Sequence, residues 1–146
     1  MKIQAITAII VNDKKEILLV RRGKEPFAQK WALISGIGAA KKGLLPEEAV
    51  RDEVQFDIQT AYQHPRYLFT LPVNNDGIVN EEVVYCGIVD PVLIKVHPPF
   101  TLEYRWCAEK EIGDLSPLAF NHNQIIGQYL QDKHPFESPS RCGAKF

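Results

Sequence analysis

WALISGIGAAKKGLLPEEAVRDEVQFDIQT, residues 31–60, decides how the rest of the chain is read. A short apolar strand runs into a glycine-bearing loop and then into a helix. Pro46 suits the first turn of that helix, where its missing N–H would have no partner. Glu47 and Glu48 follow, acidic side chains at the positive end of the helix dipole. With residues 46–57 placed at about 100° each around the axis, Val50 and Val54 fall on one flank and Ala49 and Phe56 on the other. Glu47, Glu48, Arg51 and Gln55 take the solvent side. Glu53 and Asp57, one turn apart, land between the apolar flanks. An inward carboxylate is costly unless something pairs with it, and two neighbours also repel. A hard cation such as Mg²⁺ relieves both problems. The alternative reading is a helix rotated to expose both acids, or neutralisation by Arg51, Lys41 or Lys42.

The 146 residues suffice for one domain with its own core, expected over residues 1–133, followed by a loose tail at 134–146 that carries two prolines and no periodicity. A formal charge of −1 offers no basic field for nucleic acid or a membrane surface. No apolar run approaches the ~20 residues of a membrane span. The N-terminal MKIQAITAIIVN lacks the layout of a cleavable signal. Cys86, Cys107 and Cys142 are odd in number and far apart, which reads as reduced thiols in a cytoplasmic protein. His64, His97, His122 and His134 show no metal-ligand spacing and read as surface or structural residues.

Residues 3–11 and 16–21 are strands joined by the turn-forming Asn12-Asp13-Lys14-Lys15, apolar enough to be covered on two faces. Arg21 and Arg22 open a polar loop toward Trp31. Residues 66–71 and 81–89 form a second strand pair around an Asn-Asp-Gly turn. A short strand is expected at 92–96, another at 102–108, one helical turn at 109–115 and a final helix at 121–132, with Asn121 as its cap. This order predicts an α/β domain with a mixed sheet between helices.

The succession strand, strand, R-R, W-x-L, glycine loop, acidic helix, strands, E-x-R-W and final helix resembles the Nudix hydrolase family over residues 3–132. The family's box is G-x5-E-x7-R-E-U-x-E-E-x-G-U, with U a bulky aliphatic residue. Aligned from Gly38, it keeps Glu53 and Val54 and exchanges a glutamate for Asp57. Leu44, Asp52, Phe56 and Gln59 depart from it. Residues 77–89 resemble the isopentenyl-diphosphate isomerase branch, with Glu82 matching a functional glutamate and Asn80 replacing another. That branch's cysteine and zinc-binding histidine fall at Ser35 and Ile37, so its activity is not carried over.

The resemblance implies the Nudix fold and Mg²⁺- or Mn²⁺-dependent hydrolysis of a small-molecule diphosphate, such as a nucleoside diphosphate derivative. It implies Glu53 and Asp57 as catalytic residues and Glu53, Asp57 and Glu82 as metal ligands. Arg22, Gly36, Gly38 and Glu82 are the expected substrate contacts. Arg22 also reads as phosphate capture from its position in the loop before Trp31. The degenerate box predicts weak or narrow activity, since each lost transition-state contact costs about 3 kcal/mol. The alternative is a non-catalytic diphosphate- or nucleotide-binding or regulatory module. No partner in nucleic acid or membrane is expected, and a homodimer is compatible with the family.

Overall fold

A computed structural model describes residues 4–37, 42–73, 79 and 81–133. The elements are β1 (Gln4–Ile10), β2 (Ile17–Arg22), β3 (Trp31–Ala32), β4 (Ile34–Gly36), α1 (Pro46–Ile58), β5 (Gln63–Pro72) and β6 (Glu81–Ile88). A 3₁₀ turn at Pro91–Leu93 precedes β7 (Thr101–Cys107), α2 (Glu109–Leu115) and α3 (His122–Lys133). Two sheets result, one in the order β4-β1-β6-β5 and one in the order β3-β2-β7. β1 and β6 run parallel and the other pairs antiparallel, which gives the mixed α/β arrangement expected.

Apolar residues at nearly every position of β1 and β2 feed two cores, because successive strand side chains point to opposite faces. Ile6 and Ile10 of β1 and Leu18 and Val20 of β2 join Val50, Val54 and Ile58 of α1. Ile9 and Leu19 join Ile125, Ile126 and Tyr129 of α3 on the other side. Burial of each large aliphatic side chain contributes about 1.5–3 kcal/mol relative to exposure. The two strands do not form a hairpin ladder. A single bridge, Val11 to Ile17, links them before they part into different sheets. Asn12 shapes the turn by accepting the backbone N–H groups of Lys14 at 3.1 Å and Glu16 at 2.9 Å.

At the start of α1, Leu45 offers no side-chain acceptor, but Glu48 Oε1 accepts the Leu45 N–H at 3.0 Å. The helix stops at Gln59, which turns left-handed at φ 57°. The following chain is then strapped back onto this helix end. Lys95 N–H donates to Ile58 O at 3.0 Å, and Gln59 Nε2 donates to Val96 O at 3.0 Å.

Two expectations are corrected. Residues 92–96 form no strand: Asp90 caps the 3₁₀ turn by accepting Val92 N–H, and the chain continues irregularly. Phe56 does not complete an apolar flank of α1, since it is 44% exposed while Ala49, Val50, Val54 and Ile58 are buried. Cys86 and Cys107 are buried and not disulfide-bonded. Gly38, Lys41, Asn80, Cys142, the Asn-Asp-Gly turn and the tail at 134–146 lie outside the described residues. Among the described residues, no helix is long and apolar enough to cross a membrane.

Gly23 lets the 97–100 segment approach β2. Its N–H donates to Phe100 O at 2.9 Å, and a Cβ on it would run into the carbonyl oxygen of Pro99, with the carbonyl carbon 2.9 Å away. Backbone atoms cannot yield as a side-chain tip can. Gly23→Ala is therefore expected to lower stability by about 1–3 kcal/mol, the usual range for overpacking, as read by denaturant unfolding.

Candidate active site

β4 and α1 meet where Gly36 faces Glu53. A Cβ at Gly36 would overlap the Glu53 carboxylate, lying 2.6 Å from its Cδ. The missing side chain lets that carboxylate rest against the strand backbone. One turn on, Asp57 opens into the same cleft, of about 150 Å³, together with Arg22, Lys24, Ser35, Phe56, Phe100 and Thr101. The helical spacing thus does bring Glu53 and Asp57 to one place, half-buried as the period of α1 requires.

Burial pushes the Asp57 carboxyl up to about 7, and the Glu53 carboxylate pushes in the same direction. The Arg22 charge and a hydrogen bond from Thr101 pull the other way without cancelling the rise. Arg22 is itself lowered by burial, an effect opposed by Asp57 and Glu25. Its Nε donates to Pro26 O at 2.8 Å, and its guanidinium lies 4.8 Å from the centroid of the Phe120 ring. The guanidinium is therefore oriented by main chain and ring, with donors left over for a ligand. Of the cations considered as partners for the two acids, Arg51 and Lys42 are engaged elsewhere. Arg51 pairs with Glu47 at 3.5 Å and donates to Tyr62 O at 2.9 Å, while Lys42 lies 3.9 Å from Asp52. Arg21 pairs with Glu103 at 2.6 Å across β2 and β7, so Glu103 is occupied outside the cleft lining.

Glu82 stands apart from this lining. It is buried on β6, where it accepts the Thr7 hydroxyl at 2.6 Å and a hydrogen bond from the Asn121 side chain. Burial nevertheless raises its carboxyl. His122 Nε2 lies 3.8 Å from Glu82 Oε2, and its Nδ1 accepts the Leu33 N–H at 3.0 Å. Burial first, and Arg22 second, depress that imidazole to about 3, so it is neutral and carries its proton on Nε2. The expected set of Glu53, Asp57 and Glu82 is not drawn together around this cleft. Among the described residues no three His, Cys, Asp or Glu side chains gather to hold an ion. Glu82 ties β6 to β1 through Thr7 and to the start of α3 through Asn121 and His122, and His122 in turn holds the Leu33 N–H. Asn121, expected as a helix cap, directs its side chain to Glu82.

Lys24, Phe100 and Thr101 went unrecognised in the sequence. Phe100 and Thr101 arrive from more than 40 residues beyond α1, between the stretches read as strands at 92–96 and 102–108, and no local spacing links them to α1. Ser35, at the position of the isomerase cysteine, lines the cleft with its hydroxyl 3.4 Å from His122 Nε2.

No family model matches the chain, and no curated protein matches it. Solved structures do. The NUDIX domain of Shewanella oneidensis NrtR, complexed with ADP ribose, shares 20% identity over 90% of this chain and 88% of that one, with a TM-score of 0.75. A NUDIX hydrolase from Nitrosomonas europaea shares 18% identity over 91% of each chain, with a TM-score of 0.70. A bifunctional NMN adenylyltransferase/ADP ribose pyrophosphatase from Francisella tularensis shares 17% identity over 90% of this chain and 41% of that one, with a TM-score of 0.65. Agreement over nine-tenths of the chain establishes that it has the Nudix fold.

Two outcomes follow from the geometry. Gly36→Ala meets only the tip of a flexible side chain, so stability should change by less than about 1 kcal/mol. The Glu53 carboxylate must nonetheless leave its seat, and any activity that depends on it should fall about a hundredfold. Thermal melts and rate measurements on one preparation check both halves. For Asp57, a folded-state value raised above that of the unfolded chain means that stability falls as pH climbs from about 4 to about 7, then levels off. In chelator, Asp57→Asn should therefore match the wild type near pH 4 and exceed it at pH 8, by on the order of 4 kcal/mol at most. Urea unfolding at the two pH values measures the difference.

Proposed function

We propose that the chain is a divalent-metal-dependent hydrolase of a phosphoanhydride bond in a small-molecule diphosphate. The observation that carries this reading is the pair Glu53 and Asp57 opening into one cleft beside Arg22. Two carboxylates one turn apart, one of them raised to about 7 by burial and by the charge of the other, form a donor set that suits one Mg²⁺ or Mn²⁺. With two such groups lining the cleft among the described residues, the remaining coordination would fall to water and ligand phosphate. When bound, the ion supplies charge neutralisation on the phosphate oxygens and a more acidic water.

The chain's own residues account for the rest. Arg22 donates to a phosphate oxygen and holds the diphosphate against the β2 end. Glu53 accepts the proton of the attacking water as a new P–O bond forms. The bridging oxygen leaves with its electron pair and takes a proton from solvent. Asp57 would hold the ion together with Glu53, and Thr101 donates a hydrogen bond to the Asp57 side chain. Gly36 contributes by leaving space for the Glu53 carboxylate. Glu82 acts indirectly, since its partners Thr7, Asn121 and His122 keep the β3–β4 corner in register with α3.

The bound ADP ribose of the Shewanella oneidensis domain supports ADP-ribose as a first ligand to try. A non-catalytic diphosphate-binding module is the second reading. It is favoured by Phe56 at a box position that the family fills with a carboxylate, and by Arg22, which already offsets Asp57.

Product release from ADP-ribose and other nucleoside diphosphate derivatives should require Mg²⁺ or Mn²⁺, and Glu53→Gln should lower it about a hundredfold or more. Activity that survives this substitution defeats the hydrolase mechanism. Ligand-induced thermal stabilisation with no turnover selects the binding module.

A further inference from the structure

Ser35 lines the cleft from β4 and takes no part in the chemistry proposed above. Its hydroxyl meets His122, which is fully buried at the start of α3. We propose that His122 is a positioning residue: its Nε2–H donates to the Ser35 hydroxyl, which leaves the serine's own proton to be donated into the cleft, to a phosphate oxygen of the diphosphate. Ser35 is then a ligand-binding residue whose donor direction is set before the ligand arrives. This rests on the diphosphate-binding reading above, for either the catalytic or the non-catalytic module.

A hydroxyl offers one proton and two lone pairs, and a neutral imidazole one proton and one ring lone pair. The Leu33 N–H, 3.0 Å from Nδ1, occupies the His122 lone pair. The single imidazole proton is therefore on Nε2. Ser35 Oγ lies 3.4 Å from that nitrogen and Glu82 Oε2 3.8 Å. Glu82 Oε2 already accepts the Thr7 hydroxyl at 2.6 Å, and the Asn121 side chain also donates to this carboxylate. Serine is the nearer acceptor and the one not otherwise supplied. Ser35 cannot donate back to His122, since the Nε2 proton already points at it, so its own proton turns away from the ring. Thr7, the cross-strand partner of Ser35, has its hydroxyl proton committed to Glu82. Among the described residues no second partner holds the Ser35 hydroxyl, and its proton is left for whatever occupies the cleft.

The same tautomer excludes a serine nucleophile. Attack by Ser35 would need a neighbouring nitrogen with a free lone pair to take its proton, and the lone pair of His122 is held by Leu33. Glu82 also lies beside Nε2, the nitrogen that faces Ser35, and not across the ring at Nδ1. The pair orients a hydrogen bond without activating an oxygen. Arg22 belongs to the same chain of contacts: its guanidinium lies 4.8 Å from the Phe120 centroid, and that ring lies 5.4 Å from the His122 ring. An anion in the cleft is thus offered a charge by Arg22 and a directed dipole by Ser35.

Isothermal titration of ADP-ribose and of inorganic pyrophosphate, each with Mg²⁺, tests the assignment on wild type, Ser35→Ala, His122→Asn and the double variant. Asparagine sets an amide oxygen near the Nδ1 position and keeps an acceptor for the Leu33 N–H, but it does not reach Ser35. Ser35→Ala should weaken both ligands about tenfold, the loss expected for one hydrogen bond to a charged group. His122→Asn should weaken them about threefold or more, and the double variant should bind no worse than Ser35→Ala, because His122 acts through the hydroxyl. Unchanged affinity in Ser35→Ala for a ligand that the wild type binds, or a double-variant loss equal to the product of the two single losses, overturns the assignment while diphosphate binding stands. Nitrogen-15 NMR of the wild-type imidazoles decides the tautomer even if His122→Asn fails to fold: a protonated Nε2 and a bare Nδ1 are expected at His122, and the reverse overturns the assignment. Failure of the wild type to bind both ligands overturns the assignment and the proposed function together.

Discussion

Charge repulsion on one face of α1 is the constraint around which the site is built. Glu53 and Asp57 stand one turn apart, and neither can retreat into solvent without rotating Val50, Val54 and Ile58 out of the core. Three buried aliphatic side chains hold the helix in its rotation with several kcal/mol, more than the pair's repulsion costs once a proton or a cation is available. The acids therefore stay inward, and the surroundings adapt to them. Gly36 gives up its side chain, Thr101 donates a hydroxyl, and Arg22 is drawn into a half-buried position on the end of β2.

Three agents compete to settle that charge: a proton, the Arg22 guanidinium and an external cation. Asp57 remains raised to about 7 with Arg22 already present, so the guanidinium alone does not settle it. Desolvation is the larger influence, and it weakens Arg22 as well. A diphosphate entering the cleft would engage the same guanidinium and leave Asp57 less compensated than before. Ligand and cation are then coupled, each improving the site for the other. That coupling supports metal-assisted chemistry over simple anion capture.

The sequence carried the part of this site that is local. Positions 50, 53, 54 and 57 follow one helical period, so the direction of both acids could be read from spacing alone, and the strand order gave the mixed sheet. What could not be read was contributed by tertiary contact. Phe100, Thr101 and Lys24 reach the cleft through the close approach of the 97–100 segment to Gly23, which no local pattern encodes. Phe56 was assigned to the apolar flank because periodicity cannot distinguish a core-facing ring from one that lies over a cleft rim. His122 looked like any lone histidine. Its role as an acceptor for Leu33 N–H depends on how α3 crosses the β3–β4 corner. Glu82 looked like a metal ligand from its resemblance, and the β1–β6 register instead pairs it with Ala5, near the Thr7 hydroxyl.

The fate of Glu82 and of box position 56 decides the charge that a ligand meets. Three or four carboxylates around a cleft of this size would repel a diphosphate until several cations had been loaded. Here Glu82 is turned inward to Thr7 and Asn121, and position 56 is a neutral ring. What lines the cleft is Glu53, a partly protonated Asp57, Arg22 and Lys24, a nearly balanced set. A diphosphate can approach such a site with one accompanying ion. Under the proposed hydrolase reading, the same balance would remove much of the electrostatic force that extra ions apply to the scissile bond, in keeping with weak or selective turnover.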